Sequence, residues 1–284
     1  GLEVKPPDVN ASDYMFEATD ARTIRYGLGA IKGVGRGACE AIASEREQSG
    51  RYADLLDFCK RVDGGKLNKR VLEALVNAGA LDALGSNRPS LHLQVPEVTR
   101  ATEQLARERD AGPVSLFGGG GAAPEIRIEL PETGDWTLAQ KLQGERDTLG
   151  HYLSGHPLDP YREELKALVG HDLGQLDALW ASRPEEKGRS WRLWAARPQD
   201  TRSSWKPEVN AVVAGQVVGM RKKGESQAFV QLEDGHGRIE CAFFSEAFLE
   251  YGPLLTKDRI LLVEGGLRED EFSGGFSMRA RRCW

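Results

Sequence analysis

Cysteine is scarce in this chain. There are four among 284 residues, Cys39, Cys59, Cys241 and Cys283, and no two have the spacing of a metal knuckle or a redox pair. The expectation is reduced thiols in a cytoplasmic protein. No apolar run approaches the roughly 18 residues that a membrane-spanning helix needs, so no membrane partner is expected. The opening residues lack the pattern of a signal peptide. No glycine-rich phosphate loop with its lysine is present, which removes that class of nucleotide-binding enzyme. A basic excess is missing too. The net charge is -5 and the pI about 5.7, which on the average argues against a simple nucleic-acid binder. The chain begins and ends abruptly, and the expectation is a fragment of something larger.

The charge that is present is unevenly placed. From Arg22 to Gly37 the basic residues are Arg22, Arg25, Lys32 and Arg36, with no acid among them. Between Lys60 and Arg70 there are five basic residues and one acid, Asp63. Clustering of this kind, rather than the sum, decides whether phosphate is attracted.

Periodicity and punctuation divide the chain. Pro6-Pro7 excludes helix from an extended lead-in over 1–20, where Asn10 and Ser12 are expected only to cap or turn. Short helices and glycine turns fill 21–111, with Pro96 expected to force a break or a new start in the helix that begins near 86. Gly112-Pro113 and the glycines 118–121 mark a flexible segment over 112–124. Helical spacing of Trp136, Leu138, Ala139, Leu142, Leu149 and Leu153 predicts a helical stretch within 125–180. A polar, tryptophan-bearing linker or insertion covers 181–208. From Val209 onward the period becomes two. Turn signals at Lys223-Gly224, Asp234-Gly235, Gly265-Gly266 and Gly274-Gly275 separate about five strands, and a short helix over 246–255 follows the third. That is the element order of an OB-fold barrel. The fold class expected is α+β and multidomain: an all-α helix-hairpin-helix domain, flexible linkers and a five-stranded OB-fold β-barrel over 209–284.

Three places carry chemistry. Ile31-Lys32-Gly33-Val34-Gly35 followed by a helix resembles a helix-hairpin-helix. Glycines 33 and 35 permit positive φ, and the hairpin amides with the next helix N-terminus make an anion site. Lys32 and Arg36 add charge, and such a site holds backbone rather than reading bases. The competing reading is a turn that only joins two packed helices. A second copy is placed at Leu67 to Leu81, an amphipathic helix whose buried face is Val71, Leu72, Leu75 and Val76. Lys66, Lys69 and Arg70 stand at its start, where cations oppose the helix dipole. A phosphate would explain them, and so would a solvated basic face. In the barrel, Arg221-Lys222-Lys223 is placed in the first inter-strand loop, with Phe229, Phe243 and Phe244 on strands. Basic loops and aromatic strands hold single strands by stacking. Phe243 and Phe244 must face opposite sides, so one is core, and all three being core is the bland alternative.

Taken in order, Tyr26 to Gly35, Phe58-Cys59, Asn68 to Leu75, and Leu149-Gly-His-Tyr-Leu-Ser-Gly-His-Pro-Leu158, followed by the barrel strands, resemble the C-terminal half of the bacterial C-family DNA polymerases, the polymerase III alpha subunits. Pro6 to Asn10 resembles the exit from that family's fingers domain. The resemblance implies duplex binding at the hairpins, single-stranded template contact at the barrel, and contacts with other holoenzyme subunits. It also implies a sliding-clamp peptide at Pro113, Val114, Ser115, Leu116 and Phe117, with Pro113 where the family has glutamine. The metal-holding carboxylates of nucleotidyl transfer, with their Mg2+, would lie on palm strands N-terminal to this region. No catalytic residue, metal ligand or cofactor is therefore expected here. The acidic run Glu269-Asp270-Glu271 reads as a solvated turn. His151 and His156 lack further ligands or a nucleophile's partners, and Gly155 with Pro157 reads as a helix stop. The competing reading is a protein-docking module of the replisome with little DNA contact. Whether the parent is the replicative member or an error-prone paralogue stays open.

Overall fold

The computed structural model describes residues 2–110, 133–182, 208–270 and 274–284. The chain divides into two compact units, Gly1–Gly155 and His156–Trp284. The helical stretch expected over 125–180 is shared between them.

The first unit opens with strands β1 (Glu3–Lys5), β2 (Glu17–Ala18) and β3 (Thr23–Arg25) in the order β1-β3-β2. Asn10 does more than cap a turn. It is buried, donates to the Tyr52 carbonyl at 3.1 Å and accepts from the Tyr52 amide at 2.7 Å, 42 residues away. Five helices follow: α1 (Arg36–Ser49), α2 (Leu55–Arg61), α3 (Lys69–Asn77), α4 (Arg88–Asp110) and α5 (Leu138–Leu149). Their shared core holds Leu28, Ile42, Leu55, Phe58, Leu72, Leu75 and Leu91. The α3 face expected to be buried, Val71, Leu72, Leu75 and Val76, is buried.

Two expectations about helix ends fail. Pro96 lies inside α4 and does not break it. Pro96 lies on the exposed side of the helix, while buried Leu91, Val95 and Val98 hold the helix on both sides of it. The stop before the Ser-Gly-His-Pro stretch is Gly150 rather than Gly155, because Gly150 is the left-handed cap of α5.

The residues after that cap have another task. Glu145 on α5 is 1% exposed, and its carboxylate accepts from the amides of Leu153 at 2.7 Å and Ser154 at 2.9 Å and from the Ser154 hydroxyl. Arg88, 6% exposed, donates Nη1 to Glu145 at 3.0 Å and forks Nε and Nη2 onto Asp82, each at 3.0 Å. Burial pushes the Glu145 carboxyl up, but the Ser154 hydroxyl, the two amides and Arg88 outweigh it and hold it below its ordinary value.

The second unit carries α6 (Arg162–Val169) and α7 (Leu176–Ala181) ahead of a closed barrel. Its strands are β4 (Val209–Lys222), β5 (Gln227–Glu233), β6 (Arg238–Phe244), β7 (Ile260–Asp270) and β8 (Gly275–Cys283), ordered β4-β5-β6-β8-β7. Helix α8 (Ser245–Tyr251) stands between the third and fourth strands, as expected of an OB fold. A parallel β6–β8 pairing closes the ring. Inward residues such as Val213, Val230, Ile239, Cys241, Phe243 and Val263 fill it, and Trp180 of α7 packs beside Phe276.

Gly265-Gly266 is not a turn. Both residues lie within β7, at a register shift against β8. A Cβ at Gly265 would sit 2.2 Å from the Arg279 carbonyl oxygen, so the glycine permits backbone approach. Glu269 and Asp270 likewise end β7 rather than forming the expected acidic turn.

Two outcomes follow for stability. Changing Glu145 to Gln or Arg88 to Ala should lower unfolding stability by about 3–5 kcal/mol in urea titration, because each leaves a buried polar partner uncompensated. Glu145 is held below its ordinary value, so its contribution is complete above about pH 4.3. It is lost as pH falls further, since the unfolded carboxyl takes up its proton first. In the barrel, Gly265→Ala should cost about 1–3 kcal/mol, since the obstructing atom is backbone.

Candidate nucleic-acid interface

The first hairpin is short. A single 3-10 turn, Leu28–Ala30, precedes Ile31 to Gly35, and α1 follows directly. Gly33 has φ +95° and therefore needs glycine, whereas Gly35 has φ -76° and is an ordinary extended N-cap. The expectation of positive φ at both is thus corrected. The Val34 side chain is buried in the core, and its amide donates to Ile31 O at 3.1 Å. The Lys32 amide donates to Thr148 O at 2.8 Å. Two of the hairpin amides expected to face an anion are therefore already used. Those of Gly33, Gly35, Arg36 and Gly37 have no protein acceptor among the described residues. Asp54, Asn68 and Thr137 cap α2, α3 and α5 through their side chains, while Gly35 offers α1 none. The orphan donors and dipole of α1 therefore open to solvent.

The second hairpin is α2, the turn Val62 to Asn68, and α3. Asp63 caps its own turn by accepting from the Gly65 amide at 2.9 Å. The tertiary fold then joins the two motifs. A Cβ at Gly37 would lie 3.6 Å from Lys66 Nζ, and one at Gly33 would touch the Ala74 methyl at 3.7 Å. The ammonium of the second hairpin thus stands beside the first turn of α1. Lys32, Arg36, Lys66, Lys69 and Arg70 are all exposed. Arg36 pairs with Glu40 at 2.7 Å and Lys69 with Glu73 at 3.6 Å. Lys32, Lys66 and Arg70 have no ion-pair partner among the described residues. Sequence reasoning missed Tyr14, whose ring lies 5.3 Å from the Arg36 guanidinium. Nothing in the local pattern around Tyr14 signals that contact, because 22 positions separate the two.

The barrel offers a different surface. Arg221 and Lys222 are the last residues of β4 and not part of a loop, and only Lys223 enters the turn. Neighbouring strand residues alternate in direction. Arg221 accordingly lies 4.7 Å over Phe229, while the Lys222 ammonium is 5.9 Å from the Phe248 ring. Arg221 also pairs with Glu240 at 3.1 Å. Phe243 is fully buried in the barrel core, so it is corrected from a stacking residue to a packing one. Its neighbour Phe244 is half-buried and meets half-buried Phe229 edge to face, with centroids 6.1 Å apart. The outward aromatics are therefore Phe229 and Phe244.

The remaining expectations divide by place. Pro113 to Phe117, and Trp191, Trp194 and Trp205, lie outside the described residues. The His151 ring lies 5.3 Å from that of Tyr26, tilted by 46°. His156 accepts from the Leu158 amide at 3.2 Å on Nδ1, and burial lowers its pKa. Among the described residues no group of His, Cys, Asp and Glu could hold a metal ion, and no helix is long and apolar enough to cross a membrane.

Comparison with known proteins agrees with both halves. A family described as "Helix-hairpin-helix motif" matches residues 1–91, and one described as "OB-fold nucleic acid binding domain" matches 211–284. DNA polymerase III subunit alpha of Xylella fastidiosa is 56% identical over 288 residues, covering 100% of this chain and 23% of that protein. The Pseudomonas aeruginosa subunit is 40% identical over 99% of the chain and 23% of its own length. The Escherichia coli K12 subunit is 38% identical over 99% of the chain and 22% of its own length. Among solved structures, asparaginyl-tRNA synthetase from Pyrococcus horikoshii aligns with 27% of this chain and 19% of its own at 21% identity and a TM-score of 0.25, too low to carry an argument. The chain spans less than a quarter of the length of these curated relatives, and it belongs to the DNA polymerase III subunit alpha family.

Proposed function

We propose that this chain is a non-catalytic, DNA-holding portion of a bacterial replicative polymerase. Its hairpins grip the duplex backbone, its barrel contacts single-stranded template, and Pro113 to Phe117 docks a sliding clamp. Other holoenzyme subunits are its remaining partners. The observation that carries the duplex reading is the meeting of Lys66 with the uncapped, exposed N-terminus of α1, with exposed Lys32 in the turn that leads into it. Unpaired cations beside orphan amides suit phosphate oxygens, and such contacts hold DNA without regard to sequence. The barrel reading rests on Phe229 and Phe244 facing outward beside Arg221. Each base stacked there contributes roughly 1–3 kcal/mol. For the clamp peptide the support is sequence alone: Leu116-Phe117 supplies two apolar anchors, and Pro113 removes the amide contact that the family's glutamine would make. The Mg2+ implied by the family would be held elsewhere in the parent protein. The described residues contain no cluster to ligate it, and no step of this function passes through it.

A second reading is a docking module for replisome proteins. The net charge of -5 favours it, because a negative whole repels DNA at long range. Titration with a primer–template duplex at several salt concentrations separates the two. Changing Lys32, Lys66 and Arg70 to Ala should flatten the slope of log affinity against log salt by about 2.7, since each phosphate contact contributes roughly 0.9. Binding indifferent to the triple change, or no binding at low salt, would leave the docking module as the better description.

A further inference from the structure

The outer face of the β7–β8 pair carries three arginines, two of which share one carboxylate. Arg268 and Arg281 both pair with Glu208, Arg281 at 3.2 Å. Arg281 also donates to the Asn210 side chain at 2.7 Å. Glu208 reaches this position because Gly266 has no side chain, and a Cβ there would lie 2.3 Å from its carboxylate oxygen. Arg279 stands directly opposite Gly266 in the ladder. It is exposed and has no carboxylate partner among the described residues. Positive charge therefore exceeds what Glu208 neutralises.

Two further observations point to an absent anion. The Nε–H of Arg268 is buried and has no acceptor among the described residues. Leaving a donor of a charged group unsatisfied costs about 1–3 kcal/mol or more, and a fold retains it where something else supplies the oxygen. Burial, with the charges of Arg279 and Arg281 beside it, also lowers the pKa of Arg268. Guanidinium groups held this close favour a shared, bidentate oxyanion.

The seat also has a neighbour that identifies its ligand. The Arg279 guanidinium lies 5.8 Å from the Phe244 ring, and Phe244 meets Phe229 edge to face. Arg221, Phe229, Ala242 and Arg279 occupy successive register positions across β4, β5, β6 and β8. The other end of this row, Arg221, is already neutralised by Glu240. A base on the aromatic pair would thus have its backbone charge met at the Arg279 end.

We propose that Arg279, with Arg268 and Arg281, forms a seat for a phosphodiester of single-stranded nucleic acid, adjoining the Phe229–Phe244 aromatic pair. The proposal rests on the reading of the barrel as a single-strand surface and adds to it a defined phosphate position and a direction for the strand, from β5 towards β8. Arg279 contacts the phosphate without a competing carboxylate. Arg268 and Arg281 share Glu208 and turn their remaining donors to the same oxygens.

The test is fluorescence anisotropy of the 284-residue chain with a labelled oligothymidylate of twelve nucleotides, from about 50 to 300 mM NaCl. The double variant Arg279→Ala with Arg281→Ala should bind about tenfold more weakly at the lowest salt. Its log–log salt slope should be shallower by about 1.4, at roughly 0.7 for each single-strand phosphate contact. The double Lys variant, which keeps charge and fold, should retain the slope. An uncharged methylphosphonate oligomer should bind wild type and double Ala variant alike. An unchanged slope in the Ala variant, or equal weakening with the methylphosphonate, overturns the phosphate seat. If Phe229→Ala weakens binding while the arginine variants bind as wild type, only the seat fails. Absence of any oligothymidylate binding by the wild-type chain overturns the seat and the single-strand reading together.

Discussion

A guanidinium and a carboxylate, both withdrawn from water, join three separate stretches of the N-terminal unit. Arg88 stands at the start of α4, Glu145 near the end of α5, and Leu153-Ser154 in the segment after it. Taking either ion out of water is expensive, and the pair persists because every lone pair and most donors are met. Asp82 completes the arginine's fork and fixes the turn between α3 and α4. The hairpin face depends on this arrangement at one remove. The Lys32 amide donates to Thr148 O, and the Tyr26 hydroxyl to Leu149 O, on the same helix that carries Glu145. A slipped α5 would therefore release the first hairpin.

The barrel solves its problem differently. A closed sheet has no edge to protect, and its stability comes from an apolar filling contributed by alternate residues. The outward residues are then free to vary in charge, and most are paired off: Arg221 with Glu240, Arg238 with Glu233, Arg282 with Glu264. Exposed pairs of this kind contribute little to stability. Their effect is to leave positive charge concentrated at few places, so that a surface neutral on average still has direction. The hairpin unit behaves alike: Arg36 and Lys69 are tied to acids one turn along, while Lys32, Lys66 and Arg70 are not. The acidic total is compatible with local phosphate contact for this reason.

Where sequence reading succeeded, the signal was local or periodic. The α3 stripe, the five strands and the helix after β6 follow from periods of 3.6 and 2, which chain geometry imposes on any buried face. Where it failed, the deciding partner was distant. Pro96 signals a break or a new start in the sequence, yet burial of Leu91, Val95 and Val98 outweighs the lost bond on the exposed side. Gly265-Gly266 has the composition of a turn, but the carbonyl of Arg279 and the carboxylate of Glu208 explain both glycines. The Ser-Gly-His-Pro stretch reads in sequence as a helix stop, but its Ser154 hydroxyl and amide are donors to Glu145.

The functional surface divides in the same manner. The amino-acid sequence by itself determined the two hairpins, the barrel, the basic clusters and the family, because turn residues, hydrophobic period and ordered motifs are written along the chain. It also determined that one of Phe243 and Phe244 must face inward, since strand neighbours point to opposite sides. Only the tertiary structure decided which one, by closing the barrel around Phe243 and setting Phe244 beside Phe229 and Arg279. It alone brought Lys66 to the start of α1, placed Tyr14 against Arg36, joined Arg268 and Arg281 through Glu208, and set Arg279 opposite Gly266 in the same ladder. Those contacts span tens of residues, and a side chain's charge acts on whatever lies within a few ångströms, which only folding defines.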